Sequence, residues 1–403
     1  MPRAPRSLCY VLRSFPEPSE TFIADEALSV AAQGVRVSIV HMCEGDSSVV
    51  HPSSQKLIQL GCLFSVGRPQ HGRAAVGLIK LLMRQPWQTL ATLAKALRSP
   101  QRWLYFNTLP AAAWCQSRGV DFLHAHFADS NLQAAQALSQ WLGRPFGVTT
   151  HRYDILDDPL APALTTNLLR DSSLVVTISD WNLRHMVEKY ALPSSRIAIV
   201  HCGVDLDAFT FRDREFNDTG PLRLLNVGRL MPVKAQAVLL RAVAKVRAQG
   251  IACQLDIIGG GPLEAELRAL CQELGLTDCV TLHGAQAQPV VRASLQRAHA
   301  FVLSSVSEGL PVACIEAAAT GTPLIATRIN GLPELVDDGV SGLLAEPGDP
   351  DSLARAIVWA ATHRNALPTM AAKGREKVER EFDRTSCTQQ LLALMGSTPK
   401  AAR

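Results

Sequence analysis

The sequence has no apolar segment long enough to span a membrane. No run among its 403 residues approaches the roughly 18–20 apolar residues that a transmembrane helix needs. The apolar stretch at residues 7–12 ends at Arg13 and is too short for a secretory signal. The ten cysteines include no CxxC pair and no Cys/His cluster with zinc spacing. We therefore expect free thiols and a cytoplasmic location.

Acidic residues are absent between residues 47 and 120, although nine basic residues lie there. The first 200 residues carry a net charge of +5 and the remainder a net charge of −1. A basic segment attracts anions, and charge alone leaves lipid headgroups, phosphate, nucleic acid and an ordinary solvated face as alternatives. Aromatic residues suitable for stacking on bases are few in this segment, so we expect no nucleic acid partner.

The length and the order of apolar runs predict a two-domain α/β protein. A chain of 403 residues with 47% hydrophobic residues exceeds one ordinary core. Short β-branched runs alternate with helical patterns, as in parallel sheets with crossover helices. The predicted strands are 8–12, 35–41, 57–64, 122–127, 147–150, 174–178, 197–201, 222–227, 253–258, 280–283, 300–303, 324–327 and 342–345. Residues 72–119 are predicted to form two or more helices, with apolar faces at Leu78, Leu81, Leu82, Leu90, Leu93 and Leu97.

A polar, charge-dense stretch at residues 211–220 separates the two series of strands. We predict two Rossmann-like domains that face each other across a cleft. The predicted boundaries are an N-terminal domain over 1–206, a linker over 207–220, a C-terminal domain over 221–380, and a helix and tail over 381–403 that cross back to the N-terminal domain. Ligands of such folds bind at the carboxyl ends of the strands.

Two glutamates eight positions apart lie where a strand turns into a helix. Glu308 follows the predicted strand 300–303, and Glu316 lies among small and apolar residues, where a carboxylate needs a partner. Such carboxylates can accept hydrogen bonds from vicinal sugar hydroxyls. The N–H groups of Gly309 and Leu310 can receive an anion near the helix start. The alternative is that Glu316 simply reaches solvent.

A second candidate is the loop after strand 222–227, which carries Arg229 and Lys234. A planar guanidinium and a compact ammonium together suit a diphosphate, although pairs of surface cations are common. The glycine run 259–261, centred on Gly260, permits a tight turn and close approach of backbone to a ligand. Its spacing differs from GxGxxG, and a structural turn is the better interpretation.

These features together resemble a known enzyme family. Arg229 with Lys234, the triple glycine, LHGA at 282–285, EGLP at 308–311 with Glu316, and GLPELVDDGVSGLL at 331–344 resemble the nucleotide-sugar half of retaining glycosyltransferases of family 4, which have the GT-B fold. FPEPSETFI at 15–23, HAHF at 124–127 and VTISD at 176–180 resemble the acceptor half of bacterial members that build exopolysaccharides such as colanic acid.

The resemblance implies roles for matching residues only. Glu308 would bind donor-sugar hydroxyls, Glu316 the ribose, and Arg229 with Lys234 the diphosphate, while Leu282 would pack near the base. Gly260, Gly309 and Leu310 complete the expected donor site. The family usually carries glycine after the phosphate-binding lysine, whereas Ala235 stands here, so a differently shaped turn is expected.

The N-terminal half carries the other candidates. His151 lies where the family has a histidine facing the donor sugar, and we expect His151 and Glu308 to be the catalytic residues; a structural hydrogen bond is the alternative role of a lone histidine. The candidates for an acceptor or phosphate loop are Ser19, Glu20, Thr21 and His126, with helix capping as the alternative for Ser19.

The implied reaction transfers a hexosyl group from a UDP- or GDP-linked sugar to a hydroxyl of a saccharide acceptor, with retention of configuration and without a cofactor. No metal is expected, since Arg229, Lys234 and helix N-termini supply positive charge to the leaving diphosphate. Asp205 and Asp207 have the spacing of a metal-binding pair, but their place near the domain boundary favours a structural role.

The acid-free segment 47–120 suits an acceptor linked to polyprenyl diphosphate and an anionic membrane surface. The location would then be peripheral, on the inner face of the plasma membrane, although a soluble acceptor stays open. The competing interpretations are a nucleotide-sugar 2-epimerase of the same architecture and a non-catalytic, partner-binding subunit.

Overall fold

The computed structural model describes residues 4–17, 20–46, 50–67, 71–157, 159–212, 216 and 220–398. The chain forms two compact units. The first contains the described residues up to His201 together with those from Thr385 onward, and the second is Cys202–Arg384. The sequence analysis puts the corresponding boundaries near residues 206 and 380. No helix within the described ranges is both long and apolar enough to cross a membrane.

The first unit is built on a seven-stranded parallel sheet in the order β3-β2-β1-β4-β5-β6-β7. Its strands are β1 Ser7–Phe15, β2 Arg36–Glu44, β3 Leu63–Ser65, β4 Phe122–His126, β5 Phe146–Thr150, β6 Leu174–Thr177 and β7 Ile197–Ile199. Its helices are α1 Thr21–Ala32, α2 Pro52–Gln59, α3 His71–Arg84, α4 Pro86–Arg98, α5 Arg102–Ser117, α6 Ser130–Leu142, α7 Tyr153–Leu156, α8 Pro162–Asp171 and α9 Asp180–Tyr190. Every residue of β4 and β5 is buried, as expected for central parallel strands.

The second unit is built on a six-stranded parallel sheet in the order β10-β9-β8-β11-β12-β13. Its strands are β8 Leu222–Val227, β9 Cys253–Ile258, β10 Val280–Leu282, β11 Ala300–Leu303, β12 Leu324–Thr327 and β13 Gly342–Ala345. Its helices are α10 Gln236–Ala248, α11 Glu264–Glu273, α12 Gln288–Leu295, α13 Val312–Ala319, α14 Leu332–Leu335, α15 Pro350–Thr362 and α16 Leu367–Glu381. Both units therefore have the predicted Rossmann-like α/β architecture.

The last helix, α17 Arg384–Ser397, belongs for most of its length to the first unit. Leu391 and Leu392 are buried in the core on one face of the first sheet. The hydroxyl of Thr388 lies 2.8 Å from that of Ser29 and accepts a hydrogen bond from Gln33. Apolar packing and buried hydrogen bonds thus fix this helix against α1.

Two local predictions are wrong. Residues 57–64 are not one strand, because α2 extends to Gln59 and only Leu63–Ser65 is extended. Pro52 at the first helical position and the His51 side chain, which accepts a hydrogen bond from the Ser53 N–H, favour a helix start here.

The predicted apolar face of α4 is also wrong, because Leu90 and Leu97 are 48% and 60% exposed. The buried side of this helix carries Thr89, Thr92 and Ala96. The Thr92 hydroxyl donates to the Gln140 carbonyl oxygen of α6 at 2.8 Å. Short side chains and hydrogen bonds, rather than the leucines, therefore attach α4 to the unit.

Candidate functional site

The glycine run forms a close backbone junction between β8, β9 and β10. The Gly228 N–H donates to the Ile258 carbonyl at 3.0 Å, and the Gly259 N–H donates to the Gly284 carbonyl at 2.9 Å. A Cβ atom at Gly259, where φ is 148°, would lie 1.9 Å from the Gly228 carbonyl oxygen. At Gly260 the nearest atom to such a Cβ would be the side chain of Ala285, at 3.7 Å. The run is therefore a structural turn, and the Gly228 carbonyl oxygen leaves no room for a side chain at Gly259.

Lys234 and Glu308 form an ion pair at the carboxyl ends of the neighbouring strands β8 and β11. Lys234 Nζ lies 2.6 Å from Glu308 Oε1, and the two side chains are 23% and 12% exposed. The Ser305 hydroxyl donates to the same oxygen at 2.6 Å. Within the described part of the chain, Glu308 Oε2 has no hydrogen-bond partner. One carboxylate oxygen is thus held by the protein, and the other is open to a hydrogen-bond donor.

The loop that carries Lys234 keeps the backbone shape that glycine would give it. Ala235 has φ 47° and ψ 40°, in the left-handed region. The Ser304 hydroxyl donates to the Lys234 carbonyl oxygen at 2.9 Å, and the Val306 N–H donates to that of Val233 at 2.9 Å. Neighbouring loops therefore hold the turn in place, and the expectation of a shape different from that of the family stays a prediction.

Arg229 lies on the same loop as Lys234, and its side chain is exposed. Its carbonyl oxygen accepts a hydrogen bond from the Gln236 side chain at 3.1 Å. Within the described ranges its guanidinium has neither an ion pair nor a hydrogen bond. Arg229 is therefore available to an anion, whereas Lys234 is already paired with a carboxylate.

The two predicted glutamates approach a common buried thiol. Burial raises the pKa of Cys314, the negative charges of Glu308 and Glu316 raise it further, and Lys234 opposes them. Glu316 is half-buried on α13. The structure thus brings Lys234, Glu308 and Glu316 together around the Cys314 thiol of α13.

The remaining predicted donor residues lie close to these elements. Gly309 is buried and Leu310 is 4% exposed on the loop that leads from Glu308 into α13. Leu282 ends β10, two strands from β8, and its carbonyl oxygen accepts a hydrogen bond from Arg268 at 3.1 Å. All these residues lie at the carboxyl edge of the second sheet, where ligands of such folds bind.

The first unit contains a cluster of buried histidines at the carboxyl ends of β4 and β5. His126 Nδ1 lies 3.1 Å from His151 Nε2, and His126 Nε2 lies 3.3 Å from Glu26 Oε1. The Tyr10 hydroxyl donates to the same Glu26 oxygen at 2.9 Å. Both histidines that the sequence singled out therefore lie in one hydrogen-bonded cluster.

Burial controls the charge of this cluster. Burial, followed by the neighbouring His126 and His124, lowers the pKa of His151 well below its ordinary value, so this ring is neutral at neutral pH. Burial likewise lowers the pKa of His124 to about 3. Burial raises the pKa of Asp154 to about 7, although this carboxylate accepts hydrogen bonds from the backbone N–H groups of Ala128 and His151, each at 2.8 Å.

The predicted loop before α1 is only partly described. Ser19 lies outside the described residues. Glu20 occupies the N-cap position of α1 without a side-chain hydrogen bond, and Thr21 is the first helical residue. Burial, followed by the charge of Glu17, raises the pKa of Glu20 to about 7. The loop leads into α1, whose Glu26 lies 3.3 Å from His126 Nε2, so it lies near the histidine cluster.

Sequence reasoning missed Glu26, Tyr10, Asp154 and Ser305. A signal existed for Glu26, because it falls on the stripe of α1 that buries Ile23, Ala27 and Val30. A carboxylate in such a stripe requires a buried partner. No comparable pattern marks the others, whose contacts depend on the tertiary fold.

One group of side chains in the described ranges has the composition of a metal site. Ligand-type atoms of Glu26, His124 and His126 lie within 4.8 Å of one another. An ion there would compete with the His126–Glu26 hydrogen bond. Asp205, by contrast, accepts the N–H groups of Asp207 and Ala208 and pairs with Arg384, which is a structural role. The expectation of a metal-independent reaction stays a prediction.

The chain matches known glycosyltransferases over nearly its full length. Residues 19–208 match the family described as Glycosyltransferase Family 4, and residues 207–377 match Glycosyl transferases group 1. The chain is 30% identical to the putative colanic acid biosynthesis glycosyltransferase WcaL of Salmonella typhimurium, across 96% of this chain and 98% of that protein. It is 32% identical to the amylovoran biosynthesis glycosyltransferase AmsK of Erwinia amylovora, across 57% of each.

Solved structures share the fold. HepE of Anabaena in complex with UDP-glucose has a TM-score of 0.75 and 17% identity, over 97% of this chain and 99% of that one. Sucrose-phosphate synthase of Thermosynechococcus elongatus has a TM-score of 0.71 and 18% identity, over 96% and 98%. The fold and the family matches thus define a GT-B glycosyltransferase. The chain belongs to glycosyltransferase family 4, with a group 1 domain in its second half.

Proposed function

We propose that this glycosyltransferase moves a hexosyl group from a nucleoside-diphosphate sugar to a hydroxyl of a saccharide acceptor, with retention of configuration, in exopolysaccharide biosynthesis. The Lys234–Glu308 pair beside the unpaired Arg229 carries the donor part of this proposal. WcaL and AmsK are named for exopolysaccharide synthesis, and HepE was crystallised with UDP-glucose, which supports the donor class and the pathway.

Each donor-site residue has a role that follows from its contacts. Arg229 and Lys234 bind the diphosphate and stabilise the negative charge that builds on the leaving oxygen. Glu308 Oε2 accepts hydrogen bonds from the sugar hydroxyls, and Glu316 binds the ribose. Leu282 packs near the base.

Glu308 is a poor nucleophile, because Lys234 and Ser305 already hold one of its oxygens. We therefore infer attack from the same face as the leaving phosphate, without a covalent glycosyl-enzyme. For His151, the resemblance implies positioning and charge stabilisation next to the reacting carbon. The proposed reaction uses no cofactor and no metal.

Calorimetric titration with UDP, GDP and ADP, in the presence of EDTA, tests the donor site. We expect one nucleotide to bind, and at least about tenfold weaker binding by Lys234→Ala and Glu316→Ala, because each removes a contact to the charged or sugar part of the ligand. The matched control is Lys245→Ala, which removes an exposed cation paired with Asp351 in the same unit.

Absence of binding by the folded wild-type protein would favour the partner-binding alternative. Incubation of the donor without acceptor tests the other alternative, a 2-epimerase, because such an enzyme would isomerise the nucleotide sugar. A transferase instead leaves it intact or slowly hydrolyses it.

We further propose that the acceptor is linked to polyprenyl diphosphate and that α3 and α4 contact an anionic membrane. Val76, Ile79 and Met83 of α3 are 51%, 57% and 81% exposed, and their spacing places them on one face of the helix. Trp87 of α4 is 83% exposed. Large apolar side chains surrounded by basic residues, without any acidic residue from 47 to 120, are typical of membrane-surface helices.

A cavity between α3 and α5 offers a place for the apolar part of that acceptor. Its volume is about 530 Å³, and its lining includes Leu78, Trp103 and Phe106 together with Arg73 and Arg102. The lining begins at Val66, directly after β3, so the cavity lies at the carboxyl edge of the first sheet. An apolar pocket with two guanidinium groups suits an isoprenoid diphosphate.

Vesicle co-sedimentation at low salt tests the membrane contact. We expect binding to vesicles containing phosphatidylglycerol, weaker binding to phosphatidylcholine alone, and loss of binding in the Met83→Ser/Trp87→Ser double variant. Val290→Ser is the matched control, since Val290 is an exposed apolar residue of the second unit. A wild-type protein that stays wholly in the supernatant would show that no such contact forms.

A further inference from the structure

The histidine cluster has an order that its hydrogen bonds determine. Three groups follow one another and are called the relay below: the Glu26 carboxylate, the His126 imidazole and the His151 imidazole. His126 is completely buried, and both of its ring nitrogens are engaged. Each nitrogen of a neutral imidazole is either a donor or an acceptor, so fixing one nitrogen fixes the other.

The direction of the hydrogen bonds is set by Glu26, which is their final acceptor. Glu26 Oε1 accepts the hydrogen bond of the Tyr10 hydroxyl at 2.9 Å and lies 3.3 Å from His126 Nε2. An ionised carboxylate only accepts hydrogen bonds. His126 Nε2 must therefore carry a proton and donate it to Glu26.

The remaining assignments follow for a neutral His126. Its Nδ1 holds a lone pair, so the proton in the 3.1 Å contact belongs to His151 Nε2. His151 Nδ1 is then the unprotonated nitrogen. Within the described residues it has no hydrogen-bond partner, and His151 keeps 6% of its surface exposed. This lone pair is therefore available to a ligand.

The surroundings hold the rings in this orientation. The planes of Tyr10 and His126 are 24° apart with their centroids at 5.7 Å, and those of His126 and His151 are 26° apart at 5.3 Å. Phe22 and Phe127 lie 4.9 Å and 4.6 Å from the His151 ring. These aromatic contacts limit rotation of the His151 imidazole.

We propose that Glu26 and His126 are positioning residues that fix His151 in the tautomer with a protonated Nε2 and a lone pair on Nδ1. The proposal rests on the proposed function only in assigning His151 a role beside the donor sugar. It adds that the acceptor oxygen of Glu26, on α1, determines which nitrogen of His151 meets the ligand.

Nitrogen-15 NMR of the histidine-labelled full-length protein at neutral pH tests the tautomer, with His151→Gln used to assign the signals. In the wild type we expect His151 to carry its proton on Nε2. Glu26→Leu removes the acceptor and should give a mixture of tautomers. Glu26→Gln keeps an acceptor oxygen and should retain the wild-type pattern. Asp25→Asn is the matched control, because it removes a neighbouring carboxylate of α1 that does not contact the relay.

Turnover provides the second measurement, with hydrolysis of UDP-glucose, or of a GDP-linked hexose if GDP binds more tightly. We expect kcat of Glu26→Leu to fall about tenfold to a hundredfold while the affinity for the nucleotide stays unchanged. Glu26→Gln should recover most of this loss, and Asp25→Asn should match the wild type.

Three results would overturn the proposal: a wild-type His151 protonated on Nδ1, a charged His126, or equal losses in the Leu and Gln variants that follow a drop in thermal stability. Nucleotide titration of the wild type keeps the two hypotheses apart. If no nucleotide binds, the proposed function fails, and the tautomer measurement still decides the relay.

Discussion

Exchange of single glycines in the run 259–261 for alanine distinguishes a glycine that the fold requires from one that alanine can replace. At Gly259 an added Cβ would lie 1.9 Å from the Gly228 carbonyl oxygen, and φ is 148°. Backbone in a region that only glycine visits readily costs about 1–3 kcal/mol for another residue, and overpacking costs a similar amount. We therefore expect Gly259→Ala to lower the free energy of unfolding by about 3–5 kcal/mol.

Gly260→Ala is the matched control, because its Cβ would make only ordinary van der Waals contacts, with the Ala285 side chain at 3.7 Å and the Ala285 nitrogen at 3.9 Å. Its effect on stability should stay within about 1 kcal/mol. Calorimetric unfolding checks both variants: for a unit of this size about 1 kcal/mol corresponds to about 2–4 °C. We expect Gly259→Ala to lower the transition of the second unit by about 6–20 °C. Equal melting temperatures for the two variants would refute the reasoning from contact distance.

Two further substitutions and one pH dependence follow from the structure. Ala235→Gly should stabilise the second unit by about 0.5–1 kcal/mol in denaturant titration, since relief of left-handed strain exceeds the entropy that glycine adds to the unfolded chain. Asp154→Asn should destabilise the first unit by about 1–3 kcal/mol, because the amide cannot accept from both backbone N–H groups; an unchanged melting curve would contradict this. The pKa of Asp154 is about 7 in the folded protein and lower when unfolded, so the folded state binds its proton more tightly. Its stabilising contribution is therefore present at low pH and lost as the pH rises from about 4 to about 7, and Asp154→Asn should show a smaller pH slope in that window.

The strands of the second unit were predictable almost to the residue. Leu222–Val227, Cys253–Ile258 and Ala300–Leu303 have the predicted bounds, because each is a short apolar run between polar loops and is buried in a parallel sheet. The run at 57–64 misled the same reasoning. Its apolar residues serve first a helix face, with Leu57 fully buried, and then a three-residue edge strand.

The donor site was predictable as a set of residues but not as a set of contacts. Sequence order places Lys234 and Glu308 after neighbouring strands, and the structure does bring them to 2.6 Å. That Ser305 shares the same carboxylate oxygen, and that Ala235 adopts the glycine conformation, depends on how the loops pack. No local pattern encodes either feature.

For the histidine cluster, strand periodicity predicts which face of the sheet the side chains share but not their hydrogen-bond partners. His124 and His126 are two residues apart on β4, so alternation alone places both side chains on one face of the sheet. Alternation does not tell them apart, yet His124 Nε2 lies 2.8 Å from the Thr149 hydroxyl, whereas His126 meets Glu26 and His151. The difference comes from what each strand neighbour and α1 present to the ring. A histidine pair in a buried strand therefore predicts a shared face, while the partner of each ring determines which one can act on a ligand.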